Sequence, residues 1–121
     1  MLDHIRTWTA RARARREIEC LDPGVLKDLG ATRSGLRRIV GAPREVMRRL
    51  SAMAVRQRVD ERRLTRDLQT LPALIDRCGG CRDTQACAAF LDNPSADAGQ
   101  AEFCPNLGEF RRLSREDAWH A

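Results

Sequence analysis

Cysteines are the residues of this chain whose chemistry is easiest to infer, because four of the five lie close together. Cys78, Cys81, Cys87 and Cys104 follow the spacing C-x2-C-x5-C-x16-C-P, whereas Cys20 stands alone. Thiolates are soft ligands for zinc and for iron-sulfur clusters. An odd number of cysteines without a recognisable secretory leader argues against a disulfide framework. The four clustered cysteines therefore predict a tetrathiolate metal centre.

The spacing leaves the kind of centre open. Zinc ribbons generally use two similar C-x2-C pairs, whereas here three ligands lie close in sequence and the fourth, Cys104, is remote and followed by Pro105. A three-plus-one pattern with a final Cys-Pro is common in [4Fe-4S] proteins. We expect a [4Fe-4S] cluster, with a zinc ion as the alternative and a chain that binds no metal as the third case.

The segment that carries the four cysteines has little with which to build a core. Residues 78–121 are acidic, and their large apolar side chains include three phenylalanines and a few leucines. Units with so small a core usually need a staple to fold. A metal bound by four thiolates would supply one, because its binding free energy is coupled to folding.

Helical patterns run through the whole chain, and no segment shows the sustained alternation of a strand. Asp22 before Pro23 predicts a short helix that stops at Gly30. Pro43 starts a stronger helix with Val46 among its buried apolar positions. The fold class is predicted as all-α, a small helical bundle with a C-terminal four-cysteine module. The arginines of the helix after Pro43 are expected on its solvated side: Arg44, Arg48 and Arg49.

Further local predictions concern the cysteine region and the end of the chain. Gly79 and Gly80 are expected to take the positive φ angles that a metal-binding turn needs. Residues 95–100 are small and polar, which predicts a loop. The last amphipathic segment begins at Leu107, and the tail from Ser114 is expected to fray.

Charge is distributed unevenly along the chain. The net charge is +5, but residues 1–77 contain 18 basic and 10 acidic side chains, whereas residues 78–121 contain 4 and 7. A basic surface favours polyanionic partners, because each neutralised phosphate releases condensed counterions. The first part of the chain is thus a candidate polyanion-binding region, and a merely solvated basic surface is the plain alternative.

The N-terminal region resembles a known bacterial family. Trp8, the arginine-rich run 11–16, Leu21-Asp22 and the segment 26–34 match the pattern of the YjiS-like domain of unknown function (domain of unknown function 1127). Some members of that family are implicated in RNA binding, so the resemblance implies RNA as a partner. The candidate nucleic-acid-binding residues are Arg6, Arg11, Arg13, Arg15, Arg16, Arg33, Arg37 and Arg38.

Arginine suits this role because its planar guanidinium grips phosphate with two donors and stacks on bases. Trp8 would add a stacking surface, unless it anchors the first helix to its neighbours. Cys20 is expected to be a small buried residue rather than a redox thiol.

A second resemblance covers residues 46–113. The Leu-rich run into Cys78 and the closing F-C-P-N at 103–106 are similar to an uncharacterised four-cysteine domain of alphaproteobacteria (domain of unknown function 6455). The C-x2-C-x5-C segment also looks like that of WhiB-like iron-sulfur regulators, whose fourth cysteine lies upstream instead. Two modules are predicted: residues 1–42, the YjiS-like helical segment, and residues 43–121, the helical metal-binding domain.

These features together predict a small bacterial regulatory protein of the cytoplasm, responsive to redox state or iron. A zinc-stapled adaptor with a protein partner, and a small electron-transfer protein, are the alternatives. The sequence offers no phosphate-binding glycine loop, nucleophile motif or carboxylate pair, so an enzyme is not expected. No apolar run approaches membrane-spanning length, so no membrane partner is expected. The oligomeric state is left open.

Overall fold

The fold is built from helices, as the composition predicts. A computed structural model describes the backbone of residues 2–120 and the side chains of residues 5–117. Within those ranges there is no strand, and no helix is both long and apolar enough to cross a membrane. The elements are α1 (Leu2–Glu19), α2 (Pro23–Leu29), α3 (Arg33–Gly41), α4 (Arg44–Arg56), α5 (Glu61–Arg66), α6 (Leu71–Gly79), α7 (Thr84–Asp92), a 3₁₀ helix (Ala98–Ala101) and α8 (Leu107–His120).

Local sequence signals place the ends of the first helices. Asp22 is extended before Pro23, where α2 begins, and Gly30 ends α2 in the left-handed region at φ 68°. Thr32 precedes α3, and its hydroxyl accepts the Gly35 N–H at 2.9 Å. Such a cap satisfies a backbone donor that the helix leaves unpaired. The predicted start of α2 at Pro23 and its predicted stop at Gly30 are confirmed.

The core lies in the second part of the chain, with α4 at its centre. This helix packs against α5, α6 and α7, and its buried face is the one predicted from its apolar spacing. The largest fully buried side chains come from four helices (α4, α5, α6 and α8) and the segments that join them. They are Leu50, Met53, Val59, Leu64, Leu71, Leu74, Asn106, Phe110 and Leu113.

Helix α8 corrects the prediction for the end of the chain. The backbone stays helical to His120 instead of fraying from Ser114. Arg63 of α5 pairs with Glu116 at 2.7 Å and with Asp117 at 2.6 Å, which ties the last turns to the bundle. These partners are more than 50 residues apart in sequence, so a local pattern could not reveal them. Ion pairs that are half-exposed and shared contribute modestly.

The loop predicted over residues 95–100 is also partly ordered. Its second half enters the 3₁₀ helix Ala98–Ala101, which Asp97 caps by accepting the Gly99 N–H. Gln100 closes a capping box by accepting the Asp97 N–H at 3.1 Å. Reciprocal capping of this kind satisfies two backbone donors at once.

Helix α3 joins the N-terminal region to the core. It packs against both α1 and α6, and Arg38 forms an ion pair with Asp76 of α6. Gly35 makes this approach close, because a Cβ there would lie 2.9 Å from the Thr32 hydroxyl and 3.1 Å from Pro72 Cγ. The absence of a side chain at Gly35 therefore sets the distance between α3 and α6.

We predict that Gly35→Ala lowers the free energy of unfolding by about 1–2 kcal/mol, because overpacking at the α3–α6 contact outweighs the gain in helix propensity. Gly108→Ala is the matched control, since it lies in α8 with open space around its Cβ. That variant should gain about 0.5–1 kcal/mol. Urea unfolding followed by circular dichroism measures both changes, and a Gly35→Ala protein as stable as the parent would contradict the close approach.

Candidate metal centre

The four clustered cysteines come from four segments and line one small cavity in the core. Cys78 lies in the last turn of α6, Cys81 in the connection to α7, Cys87 within α7, and Cys104 before α8. The fold therefore brings the remote fourth cysteine to the other three. The other residues that line the cavity are Arg49, Leu50, Met53, Thr84, Phe103, Pro105, Asn106 and Phe110.

The cysteines share this cavity without forming a ready site for one ion. Within the described part of the chain, no three His, Cys, Asp or Glu side chains are grouped so that they could hold a single metal. A mononuclear zinc site needs four ligands at about 2.0–2.3 Å from one point. The thiols thus surround a cavity but do not meet at its centre.

Burial controls the protonation of these thiols. It is the main cause that raises the pKa of Cys78, Cys87 and Cys104 above the usual value. Neighbouring thiols raise the pKa of each further, because two thiolates side by side repel. These three side chains are consequently neutral thiols at neutral pH until a cation replaces their protons.

Hydrogen-bond donors are aimed at the sulfurs nonetheless. The Asp83 N–H donates to Cys81 Sγ at 3.3 Å. The backbone N–H groups of Asn106 and Leu107 donate to the Cys104 sulfur and lower the pKa of that thiol, against the larger effect of burial. N–H to sulfur bonds stabilise metal-bound thiolates and tune the centre they hold.

Arg49 is a member of this site that the sequence analysis placed wrongly. Arg48 is exposed and pairs with Glu45 at 2.8 Å, as a solvated position should. Arg49 instead is half-buried, lines the cavity and hydrogen-bonds to Cys78. Helical spacing contains the signal, because Arg49 lies one turn before the buried Met53 and beside it on the helix surface.

Asn106 anchors the segment that carries Cys104. Its side chain is 1% exposed, and its Nδ2 donates to the Leu74 carbonyl of α6 at 2.9 Å. The Asn106 Oδ1 atom is buried without a hydrogen-bond partner among the described residues. The Asn106 side chain thus holds the start of α8 against α6. Its Oδ1 atom, at the cavity, can still accept a hydrogen bond.

The glycines of the C-x2-C segment differ from the prediction. In the described chain, positive φ angles occur at Gly30 and Arg58. The positive φ angles expected at Gly79 and Gly80 are therefore not found. Gly79 ends α6, and Gly80 has φ −92°. The end of a regular helix, rather than a left-handed turn, therefore presents Cys78 to the cavity.

Half of the candidate nucleic-acid-binding arginines make contacts within the protein. Arg33 donates to the carbonyls of Ile18 and Leu21, at the end of α1. Arg37 grips Glu19 with two bonds of 2.6 and 2.8 Å. Arg38 pairs with Asp76, and Arg11 donates to the Ala42 carbonyl at 3.4 Å. Arg11, Arg33 and Arg37 attach α1 and the turn after it to α3 and its end. Arg38 attaches α3 to α6.

The other four candidate arginines are exposed on α1: Arg6, Arg13, Arg15 and Arg16. Trp8 lies among them with 73% of its surface exposed, so it does not anchor the helix. Ile18 is the buried contact of α1, near its C-terminal end. Cys20 is exposed and free, which corrects the expectation that it is buried.

The fold and the site define a small all-helical protein in which four cysteines line one cavity. Its N-terminal helix carries exposed arginines. Residues 39–116 match DUF6455, a family of unknown function. Since the match spans more than half of the chain, the protein belongs to that family. No curated protein and no solved structure matches the chain. The YjiS-like resemblance lies mostly before the matched range and stays a prediction, as does the boundary between residues 42 and 43.

We predict that the metal-free protein reacts with iodoacetamide at Cys20 first and at Cys87 last. Cys20 is exposed, whereas Cys87 is buried and its burial raises the pKa of the thiol, so little of the reactive thiolate is present. Time-resolved alkylation with peptide mass mapping measures the order. Modification of Cys87 as fast as Cys20 would contradict the buried arrangement.

Proposed function

We propose that the protein holds a [4Fe-4S] cluster in the four-cysteine cavity. The observation that carries this proposal is that four thiols line one cavity while no three of them are grouped for a single ion. In a cubane cluster each cysteine binds a different iron, so the sulfurs surround a volume instead of converging on a point. The arrangement of the thiols favours a cluster over a zinc ion.

The surroundings of the cavity support an anionic iron-sulfur centre. Leu50, Met53 and Phe110 provide apolar walls, which limit access of water. Backbone N–H groups donate to Cys81 and Cys104. Such a cluster, when bound, supplies reversible one-electron chemistry. The four ligands would also connect α6, α7 and the start of α8, where α7 contributes only Cys87 and Phe90 to the described core.

We predict that protein purified without oxygen is brown, absorbs near about 400 nm and carries about four iron and four sulfide per chain. Cys87→Ser should remove the absorbance, because it deletes a buried ligand. Cys20→Ser is the control and should leave iron, sulfide and absorbance unchanged, since Cys20 is exposed and outside the cavity.

Two other results of this preparation would each reject the proposed cluster. A colourless protein with about one zinc per chain would reject the cluster and support the zinc-stapled adaptor. A protein with neither metal, whose thermal unfolding is unchanged in Cys87→Ser, would reject a metal centre altogether.

A second proposed function is binding of single-stranded RNA by α1. The observation that favours it is an indole 73% exposed, at Trp8, on a helix whose guanidinium groups at Arg6, Arg13, Arg15 and Arg16 are also exposed. Exposed aromatic rings stack on unpaired bases, and arginines neutralise the phosphates beside them.

The two proposed sites are connected by packed helices. Cys78 lies at the end of α6, α6 packs against α3, and α3 holds α1 through Arg33 and Arg37. We propose that loss of the cluster loosens α6 and so changes the attachment of α1. The protein would then act as a redox-responsive or iron-responsive RNA-binding regulator.

We predict that the triple variant Arg6→Ala, Arg13→Ala and Arg16→Ala weakens binding to single-stranded RNA. The slope of log K against log salt should fall by about 0.7 for each phosphate that the variant no longer neutralises. Fluorescence anisotropy with a labelled RNA across a salt series measures both quantities.

The control for this experiment is a triple alanine variant with the same change of charge on other helices, at the exposed Arg62, Arg66 and Arg111. It should bind more tightly than the α1 variant at every salt concentration. Equal weakening in the two triple variants would mean that only net charge matters, and would reject a site on α1. No affinity for RNA in low salt would reject the function.

A further inference from the structure

Arg49 is the charged residue among those that line the cysteine cavity. Among the described residues that line this cavity there is no carboxylate. The neighbouring Arg48 forms an ion pair with Glu45. Arg49 also lines a second pocket with Glu45 and Asp92, and the pKa of Glu45 is lowered by its hydrogen bond to Arg48 and also by the charge of Arg49. On the cavity side, the guanidinium of Arg49 hydrogen-bonds to Cys78 and lowers the pKa of that thiol, against the larger effect of burial. A half-buried cation is thus directed at a group of sulfur atoms.

The position of Arg49 brings a positive charge to a cavity whose described lining contains four sulfur atoms and no carboxylate. A half-buried arginine loses part of its hydration, and anions beside it reduce that cost. Thiols are only weak acceptors for its N–H groups. Metal-bound thiolates would place negative charge beside the guanidinium, since four of them exceed the positive charge of a zinc ion or an oxidised cluster.

We propose that Arg49 is a charge-compensating residue of the metal centre, and that its guanidinium sets both how firmly the centre is held and its reduction potential. The inference rests on the proposed metal function of the same site. Arg49 does not ligate the metal; it acts on the thiolates, most directly on Cys78. A fixed positive charge beside the sulfurs favours the more negative, reduced form and so raises the potential.

The test compares Arg49→Met with Arg48→Met in the full chain. Both variants lose one positive charge from adjacent positions of α4, but Arg48 is exposed and does not line the cysteine cavity. Release of iron or zinc into excess chelator should be about tenfold faster for Arg49→Met than for Arg48→Met, as expected for loss of a charge-assisted hydrogen bond. For a cluster, an anaerobic dye titration should give a more negative midpoint potential in Arg49→Met.

Arg49→Lys separates charge from packing and covers the case in which Arg49→Met does not fold. It retains the positive charge, so its release rate should stay closer to that of the parent protein than to that of Arg49→Met. If Arg49→Met does not fold, Arg49→Lys should still release metal no more than a few-fold faster than Arg48→Met. Release from Arg49→Lys tenfold faster than from Arg48→Met would overturn the charge assignment.

The failures of this inference and of the proposed function can be told apart. If the parent protein carries metal, and Arg49→Met matches Arg48→Met in release rate and midpoint potential, then Arg49 has no such role while the centre stands. If the parent protein carries no metal after anaerobic purification, the proposed centre and the role of Arg49 are both rejected.

Discussion

Four sulfur atoms around one cavity, with Cys87 buried and the other three cysteines partly buried, are the constraint on which the rest of the structure depends. The cavity lies where α4, α6, α7 and the start of α8 meet, so each of these elements contributes one wall. Neutral thiols are easily buried, but thiolates at this depth need compensating charge and hydrogen bonds. Arg49 and the backbone N–H groups around Cys104 provide both. The core is therefore arranged around a group of thiols, with a cation and hydrogen-bond donors beside them.

Arginine has two distinct uses in this protein. Arg33, Arg37 and Arg63 satisfy carbonyls or carboxylates of other helices and hold a small bundle together. Four other arginines of α1 have no such partner among the described residues, and they are exposed, as is Trp8 on the same helix. Some arginines thus attach α1 to the bundle, whereas others make its exposed surface positively charged. Net charge by itself could not show which arginines are exposed.

Several local features were predictable because they depend on residues near in sequence. The cap at Thr32, the start of α2 at Pro23 and the stop at Gly30 follow from backbone geometry that neighbouring residues determine. The predictions that were wrong concern features that depend on residues distant in sequence. Helix α8 continues past Ser114 with help from Arg63, more than 50 residues earlier, and Arg49 faces the cavity because of the elements packed over α4.

The sequence by itself determined the all-helical class, the order of the helices and the four cysteines as a group, because periodicity, caps and ligand spacing are local properties. Tertiary structure decided how the cysteines share one cavity, which arginine faces them and which arginines remain free on α1. Those outcomes depend on contacts between distant segments, such as Asn106 with Leu74 and Arg38 with Asp76. Contacts of this kind form only when distant segments pack, so helical spacing can place Arg49 near a buried face of its helix without showing that this face meets the cysteines.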